Sequence, residues 1–238
     1  LEAATVATVP IAVHLDHSTS APDIQQALDA GMTSIMADGS HLPYAQNLEF
    51  TRAMTQLAHS KGAAVEAEIG RISGTEDGLT IAEKEAKMTD PEQAVEFVGA
   101  TGVDALAVTI GNVHGEYKSP PRLDFARLEK IRQLIEIPLV LHGASGLPPE
   151  MISQSIQLGV CKFNVNTEVR QAYMQSLKAG ICAADLKDLV DSMAGAIAAM
   201  HSVISEKLDL FGSVGKAHLH QTPYAEMLAM TGRYRLPL

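Results

Sequence analysis

The chain has 238 residues, 28 acidic against 18 basic side chains, and a formal net charge of −10 with histidine neutral. That balance argues against a nucleic-acid partner, whose phosphate backbone would be repelled. It leaves small phosphorylated ligands open, because backbone amides bind phosphate whatever the total charge. Hydrophobic residues at 46% suffice for a packed core. The two cysteines, Cys161 and Cys182, form neither a disulfide framework nor a CxxC metal motif, so a reducing, cytoplasmic setting is expected. No apolar run approaches the ~20 residues that span a bilayer, so no membrane association is expected. No signal peptide is visible, and the chain opens on Leu1, from which a missing natural N-terminus is expected.

Short apolar runs alternate with segments of helical period. Ile11 to Asp16 reads as a strand, Asp23 to Ala30 as a helix ended by Gly31, and Ser34 to Asp38 as the next strand. A helix from Tyr44 to His59 and a strand from Ala64 to Gly70 follow. Asp90 and Pro91 pair an N-cap with proline at N1, opening a helix that stops at Gly102. Ala105 to Ile110 is a fourth strand, Phe125 to Leu134 a helix, and Pro138 to Gly143 a fifth strand. Pro149 opens a helix ending at Gly159, Lys162 to Asn166 is a sixth strand, and the chain is helical from Thr167. A further helix is expected over Asp185 to Leu208, then an irregular tail over 218–238.

Six βα units in a row imply a parallel α/β sheet. An open doubly wound sheet and a TIM (β/α)8 barrel compete. No GxGxxG follows the first strand. Instead polar residues sit at the C-terminal ends of the strands: Asp16 and His17, Asp38, Glu68, His114, His142, and Asn164 to Asn166. Barrel active sites are assembled from such strand ends, which favours a single barrel domain over residues 1–217. Six units are two short of the eight that close it.

Of nine histidines, His17, His114 and His142 each end or follow a predicted strand beside a small or acidic neighbour. Three imidazoles converging from separate strands would make a catalytic zinc site with an open position. The alternative is three unrelated strand-end histidines. His59 and His201 read as surface or packing residues, His41 as a loop residue, and His218 with His220 as an incidental tail site. Glu66 and Glu68, two apart, share one side of their strand. If that side is the barrel interior, they need partners or a metal; otherwise they face a polar helix. Arg71 to Leu79 reads as a glycine-containing loop able to act as a lid. His142 to Gly146 (HGASG) and Asn164 to Glu168 (NVNTE) read as anion cradles, the second also as an ordinary helix cap.

Taken together, HLDH (14–17), MADGSH (36–41), VEAEIG with SGTEDG (65–78), IGNVHGEY (110–117), PLVLHGASG (138–146) and KFNVNTE (162–168) resemble the class II fructose-bisphosphate and tagatose-bisphosphate aldolase family, in its order and near its spacing. The likeness covers residues 8 to 175, with a fainter match at Phe211 to Ala217. It implies zinc on His17, His114 and His142, with Asp16 as the acid/base at the substrate C4 hydroxyl. Asp38 and Glu68 match residues of a second metal position. Glu76 matches a lid glutamate that moves a proton at the dihydroxyacetone phosphate carbon. Gly115, Gly143, Ala144, Ser145, Asn164, Val165, Asn166 and Thr167 match the substrate and phosphate contacts, near which some members also hold Na+ or K+.

The implied reaction is reversible cleavage of a fructose or tagatose 1,6-bisphosphate, by a homodimer or homotetramer. Three departures stand against it. The family's βα units before HLDH are missing, Thr75 replaces an acidic residue often found beside Glu76, and the long segment usually found before the final helices is shortened. A catalytically impaired metal- and phosphate-binding protein is therefore the alternative. A further difficulty is geometric: Asp16 and His17 are consecutive and would point to opposite faces of a regular strand.

Overall fold

The computed structural model describes residues 2–76, 79–81, 87–117, 119–182 and 188–221. Six parallel strands form the main sheet: β1 (His14–Ser18), β2 (Ser34–Ala37), β3 (Ala64–Ile69), β6 (Ala105–Val108), β8 (Leu139–Leu141) and β9 (Val160–Phe163), in that spatial order. The helices α2 (Ala21–Asp29), α3 (Tyr44–Ser60), α4 (Pro91–Thr101), α5 (Phe125–Leu134), α6 (Pro149–Gln157) and α7 (Thr167–Ile181) alternate with them. A short helix, α1 (Glu2–Thr5), precedes the sheet, and α8 (Leu189–Leu210) and a 3-10 turn (Ala217–Gln221) follow it. Among the described residues, no helix is long and apolar enough to cross a membrane.

Local chemistry sets the helix ends. Asp90 accepts from the Gln93 N–H ahead of Pro91, and Gly102, at φ 69°, closes α4 in the left-handed region. Ser20 and Asp124 cap α2 and α5 in the same way. β1 begins at His14 rather than Ile11. It is an edge strand with one neighbour, β2, and Val9 and Ile11 before it stand about half exposed. β9 ends at Phe163, which leaves Asn164 to Asn166 in the loop beyond it.

The sheet curls into part of a barrel, and strand alternation sorts its side chains into two cores. Outward residues Ile35, Val65, Ala67, Ile69, Leu106, Leu139 and Leu141 pack against Ile24, Leu28, Phe97, Leu128, Ile131 and Ile152 of the helices. Each of the larger buried side chains among these contributes ~1.5–3 kcal/mol of transfer free energy. The inward set is small, with Met36, Ala107 and Val140 in one cluster. Register places Glu66 beside Met36 and Ala105, and Glu68 in a row with Ala107, Val140 and Lys162. The two glutamates therefore face the barrel interior, not a helix.

The expected loop over Arg71 to Leu79 is a hairpin. β4 (Ser73–Glu76) pairs antiparallel with β5 (Leu79–Ile81), and β4 also pairs parallel with β7 (Val113–His114). Asp77, Gly78, the start of the predicted Asp185 helix and the tail from 222 onward lie outside the described residues. The described part of α8 starts after its cap, Asp188, and runs two residues beyond the predicted Leu208.

Candidate active site

Three strand ends bring His17, His114 and His142 together. One nitrogen of each lies within 4.8 Å of the others, with ring centroids 4.6 Å apart for His17 and His142 and 5.2 Å for His17 and His114. The backbone at His17 resolves the geometric difficulty. Its φ is 42°, the one positive value at a non-glycine among the described residues, and the β1–β2 register shifts between Leu15 and Ser18. His14 and Asp16 then share the inward face, while the left-handed turn swings His17 to the same side. Such a conformation costs ~1–3 kcal/mol and is tolerated where surrounding contacts enforce it.

Each of two imidazoles is held by a carboxylate on its far nitrogen. His17 Nδ1 lies 2.7 Å from Asp38 Oδ2, and His142 Nε2 lies 2.7 Å from Glu66 Oε1. A carboxylate only accepts, so both far nitrogens carry the proton. His17 Nε2 and His142 Nδ1 then present lone pairs to each other across 2.8 Å. Two lone pairs at that distance need a proton or a metal ion between them. Tetrahedral nitrogen ligands of zinc stand about 3.3 Å apart, which asks for only a small opening. The carboxylate–histidine pattern is the outer shell that orients metal ligands, so the residues fit a zinc ion.

The local field favours positive charge. Burial opposes charge on His17, but the hydrogen bond to Asp38 and the charges of Glu68, Asp38 and Asp16 lift it to about 9. Burial would raise Asp38, yet His17 and Ser40 hold it at about 2. Glu66 likewise sits at about 2, burial being outweighed by its bond to His142 and by the charges of His142, Lys162 and His14. Burial keeps His142 below its ordinary value.

His114 is fixed through backbone. Gly143, at φ 64°, lets the His142 strand end approach Val113 so closely that a Cβ there would meet the Val113 carbonyl oxygen at 2.2 Å. The Tyr117 hydroxyl donates to the Gly143 carbonyl at 3.0 Å and accepts the Val113 N–H at 3.1 Å. Buried Asn112 accepts from the Ile110 N–H and donates to the His142 carbonyl. Register sets Gly74 of the hairpin beside His114, so the hairpin is anchored on the strand that carries this imidazole.

Asp16 lies at the exposed rim, where Asn164 Nδ2 donates to its two oxygens at 3.1 and 3.0 Å. The second group able to hold a cation is His14, Asp16 and Glu66. Asp38 and Glu68, matched to a second metal position, enter neither group among the described residues. Asp38 bonds His17, and buried Glu68 contributes charge to it. The main chain of Glu76 lies on the hairpin, but its side chain is outside the described residues. The two cradles meet where the Ala144 N–H bonds the Asn164 carbonyl. Asn166 caps α7 without a side-chain bond, which leaves that helix start to other partners. Ser145 Oγ accepts the Glu168 N–H at 3.5 Å, and the Glu168 carboxylate takes the Gly146 N–H and Lys207. A cavity of about 530 Å3 opens here, lined by Gly115, Tyr117, Ser145, Gly146, Thr167 and Gln171. Val165 lies in the same strand-end loop.

Four other histidines stand apart, and the side chain of His220 is outside the described residues. His59 pairs with Asp104 at the surface, the exposed His41 lends its carbonyl to Arg71, and His201 and His218 are exposed. Sequence reasoning singled out neither Lys162, Tyr117 nor Asn112, and gave Glu66 no partner. Only the spacing of Glu66 and Glu68 hinted at a polar interior.

The family described as class II fructose-bisphosphate aldolase matches residues 1–216. Among solved structures, a candidate fructose-1,6-bisphosphate aldolase from Coccidioides immitis is 36% identical with a TM-score of 0.85, over 92% of this chain and 77% of that one. The YdjI aldolase from Escherichia coli K12 is 38% identical with a TM-score of 0.80, over 91% and 75%. A fructose-bisphosphate aldolase from Campylobacter jejuni, at 21% identity and a TM-score of 0.69 over 85% and 71%, shares the fold.

Proposed function

As the chain belongs to the class II fructose-bisphosphate aldolase family, we propose that it cleaves a ketose 1,6-bisphosphate, fructose or tagatose, into dihydroxyacetone phosphate and glyceraldehyde 3-phosphate. One observation carries the reading: two imidazoles locked by Asp38 and Glu66 aim lone pairs at one point, with a third imidazole and Asp16 beside it. His17, His114 and His142 would hold zinc, which when bound acts as the Lewis acid that stabilises negative charge left by C3–C4 cleavage. Asp16, kept at the rim by Asn164, takes the C4 hydroxyl proton as that carbon becomes the aldehyde. Glu76, carried on the hairpin, returns a proton to C3. The small residues Gly143 to Ser145 and the start of α7, where Asn166 makes no side-chain cap bond, receive the dihydroxyacetone phosphate end.

The zinc-loaded protein should cleave one or both bisphosphates. Asp16→Asn should lower kcat by ~10²–10⁴ while leaving zinc affinity intact, because Asp16 is outside the imidazole triad. Loaded wild-type protein that cleaves neither sugar would refute the reading. A second reading, binding of metal and phosphate without turnover, is supported by β1 and β9 being sheet edges rather than neighbours. Tight zinc and phosphate binding with no cleavage would favour it. The homodimer or homotetramer reading draws support from the exposed apolar residues Val190, Met193, Ile197 and Ile204 on α8. Sedimentation velocity tests it, and a monomer at working concentration would count against it.

A further inference from the structure

Among the described residues, the part-exposed Lys162 of the inward row has no part in this chemistry. Lys162 Nζ lies 3.0 Å from Glu66 Oε2 and also donates to Asn164 Oδ1. Glu66 is the carboxylate on His142, and Asn164 is the amide on Asp16, with Nδ2 also 3.2 Å from His142 Nδ1. We propose that Lys162 is a positioning residue for both halves of the site: through Glu66 it sets which His142 nitrogen faces the metal, and through Asn164 it sets the amide edge offered to Asp16.

Three independent features support this. The first is charge. Glu66 is 3% exposed, and a buried carboxylate is costly unless compensated. Its ion-pair partners among the described residues are His14, His142 and Lys162. His142 must stay neutral to donate a lone pair to a metal, so it cannot be the compensating cation. Lys162 is the partner whose charge does not depend on an imidazole. The second is directionality. An ammonium only donates, so the Asn164 atom beside it must be the oxygen. That removes the usual ambiguity of an amide and turns Nδ2 toward Asp16. The third is backbone. Along β8 and β9, Leu139 pairs with Val160 but Val140 pairs with Lys162, so Cys161 is an extra residue in the ladder. Such a bulge re-aims the side chains that follow. Here it moves Lys162 into the inward row with Val140, the place Cys161 would hold in a regular ladder.

The role rests on the metal-site reading and can be tested apart from turnover. Zinc dissociation constants from chelator competition, and long-range ¹H–¹⁵N imidazole spectra of the metal-free protein, are compared for wild type, Lys162→Met, Lys162→Gln, Lys162→Arg and Glu66→Gln. Lys162 is about a third exposed, which makes its replacement tolerable to the fold, and Lys162→Gln serves should Lys162→Met not fold. The neutral variants should weaken zinc roughly tenfold, at the lower end of outer-shell effects, and should lose the single Nε2-protonated form of His142. Lys162→Arg should restore most of both. Adding Lys162→Met to Glu66→Gln should weaken zinc by less than the product of the two separate losses, as expected of residues acting in series. Wild-type zinc affinity and an unchanged His142 spectrum in both neutral variants would overturn the proposal, as would fully multiplicative losses. If wild-type protein binds zinc but cleaves neither bisphosphate, the aldolase reading falls and these two measurements still decide the role of Lys162.

Discussion

Gly143→Ala probes how His114 is placed. Gly143 has φ 64°, and a Cβ there would sit 2.2 Å from the Val113 carbonyl oxygen and 2.8 Å from its carbon, both backbone atoms. Ordinary contact begins near 3.4 Å, so β7 must retreat by about 1.2 Å. An alanine in the left-handed region adds ~1–2 kcal/mol of strain, and forcing the two segments apart adds ~1–3 kcal/mol. The total, roughly 2–5 kcal/mol, is a large share of the ~5–15 kcal/mol that holds a domain together. His114 follows Val113 directly, and metal ligands tolerate only ~0.2 Å of error. Urea denaturation should therefore show the lost stability, and chelator competition should show zinc bound by two imidazoles with much lower affinity. An alanine variant as stable as wild type, with unchanged zinc affinity, would refute the placement of His114 by this close approach.

Asp38→Ala removes the acceptor on His17 Nδ1 and should weaken zinc ~10–100-fold in the same competition assay. If Asp38 instead served a second metal position, the variant would lose a second equivalent of metal with the first unweakened. Tyr117→Phe leaves the Val113 N–H and Gly143 carbonyl without their shared partner and should cost ~1–3 kcal/mol near neutral pH. Burial, opposed by the Val113 N–H, pushes the Tyr117 phenol up to about 12, against about 10 when unfolded. The folded state thus holds that proton more tightly. Its stabilising contribution is complete below about pH 10 and is lost as pH rises through about 12. Denaturation at stepped pH should show the gap between wild type and Tyr117→Phe narrowing over that window, and a constant gap would contradict the assignment.

Much of the fold was legible because hydrophobic patterning and helix signals are local. Asp90, Pro91 and Gly102 bound α4 as read, and the six parallel strands follow from apolar runs covered on the outside by helices. What was missed depends on pairing. The 71–79 segment looks like a polar loop because, among the described residues, its strands pair with each other and with β7 rather than with the main sheet. β1 starts late because its pairing with β2 begins at His14 opposite Ser34, leaving the apolar Ile11 outside the ladder. In the site, His17, His114, His142 and Asp16 were visible as strand-end residues. HLDH read as a regular strand separates Asp16 from His17, and only the positive φ at His17 reunites them. Glu66, Lys162, Asn112 and Tyr117 act through register, a bulge and backbone carbonyls, none of which has a spacing signature.

Binding of one metal ion by three imidazoles from three strand ends is open to a direct test. X-ray absorption at the zinc edge of protein loaded with one equivalent reads the ligands directly. The structure predicts three imidazole nitrogens at ~2.0–2.1 Å with one oxygen ligand and no sulfur, falling to two imidazoles in His114→Ala. A shell dominated by carboxylate oxygens, or a spectrum unchanged in His114→Ala, would contradict it.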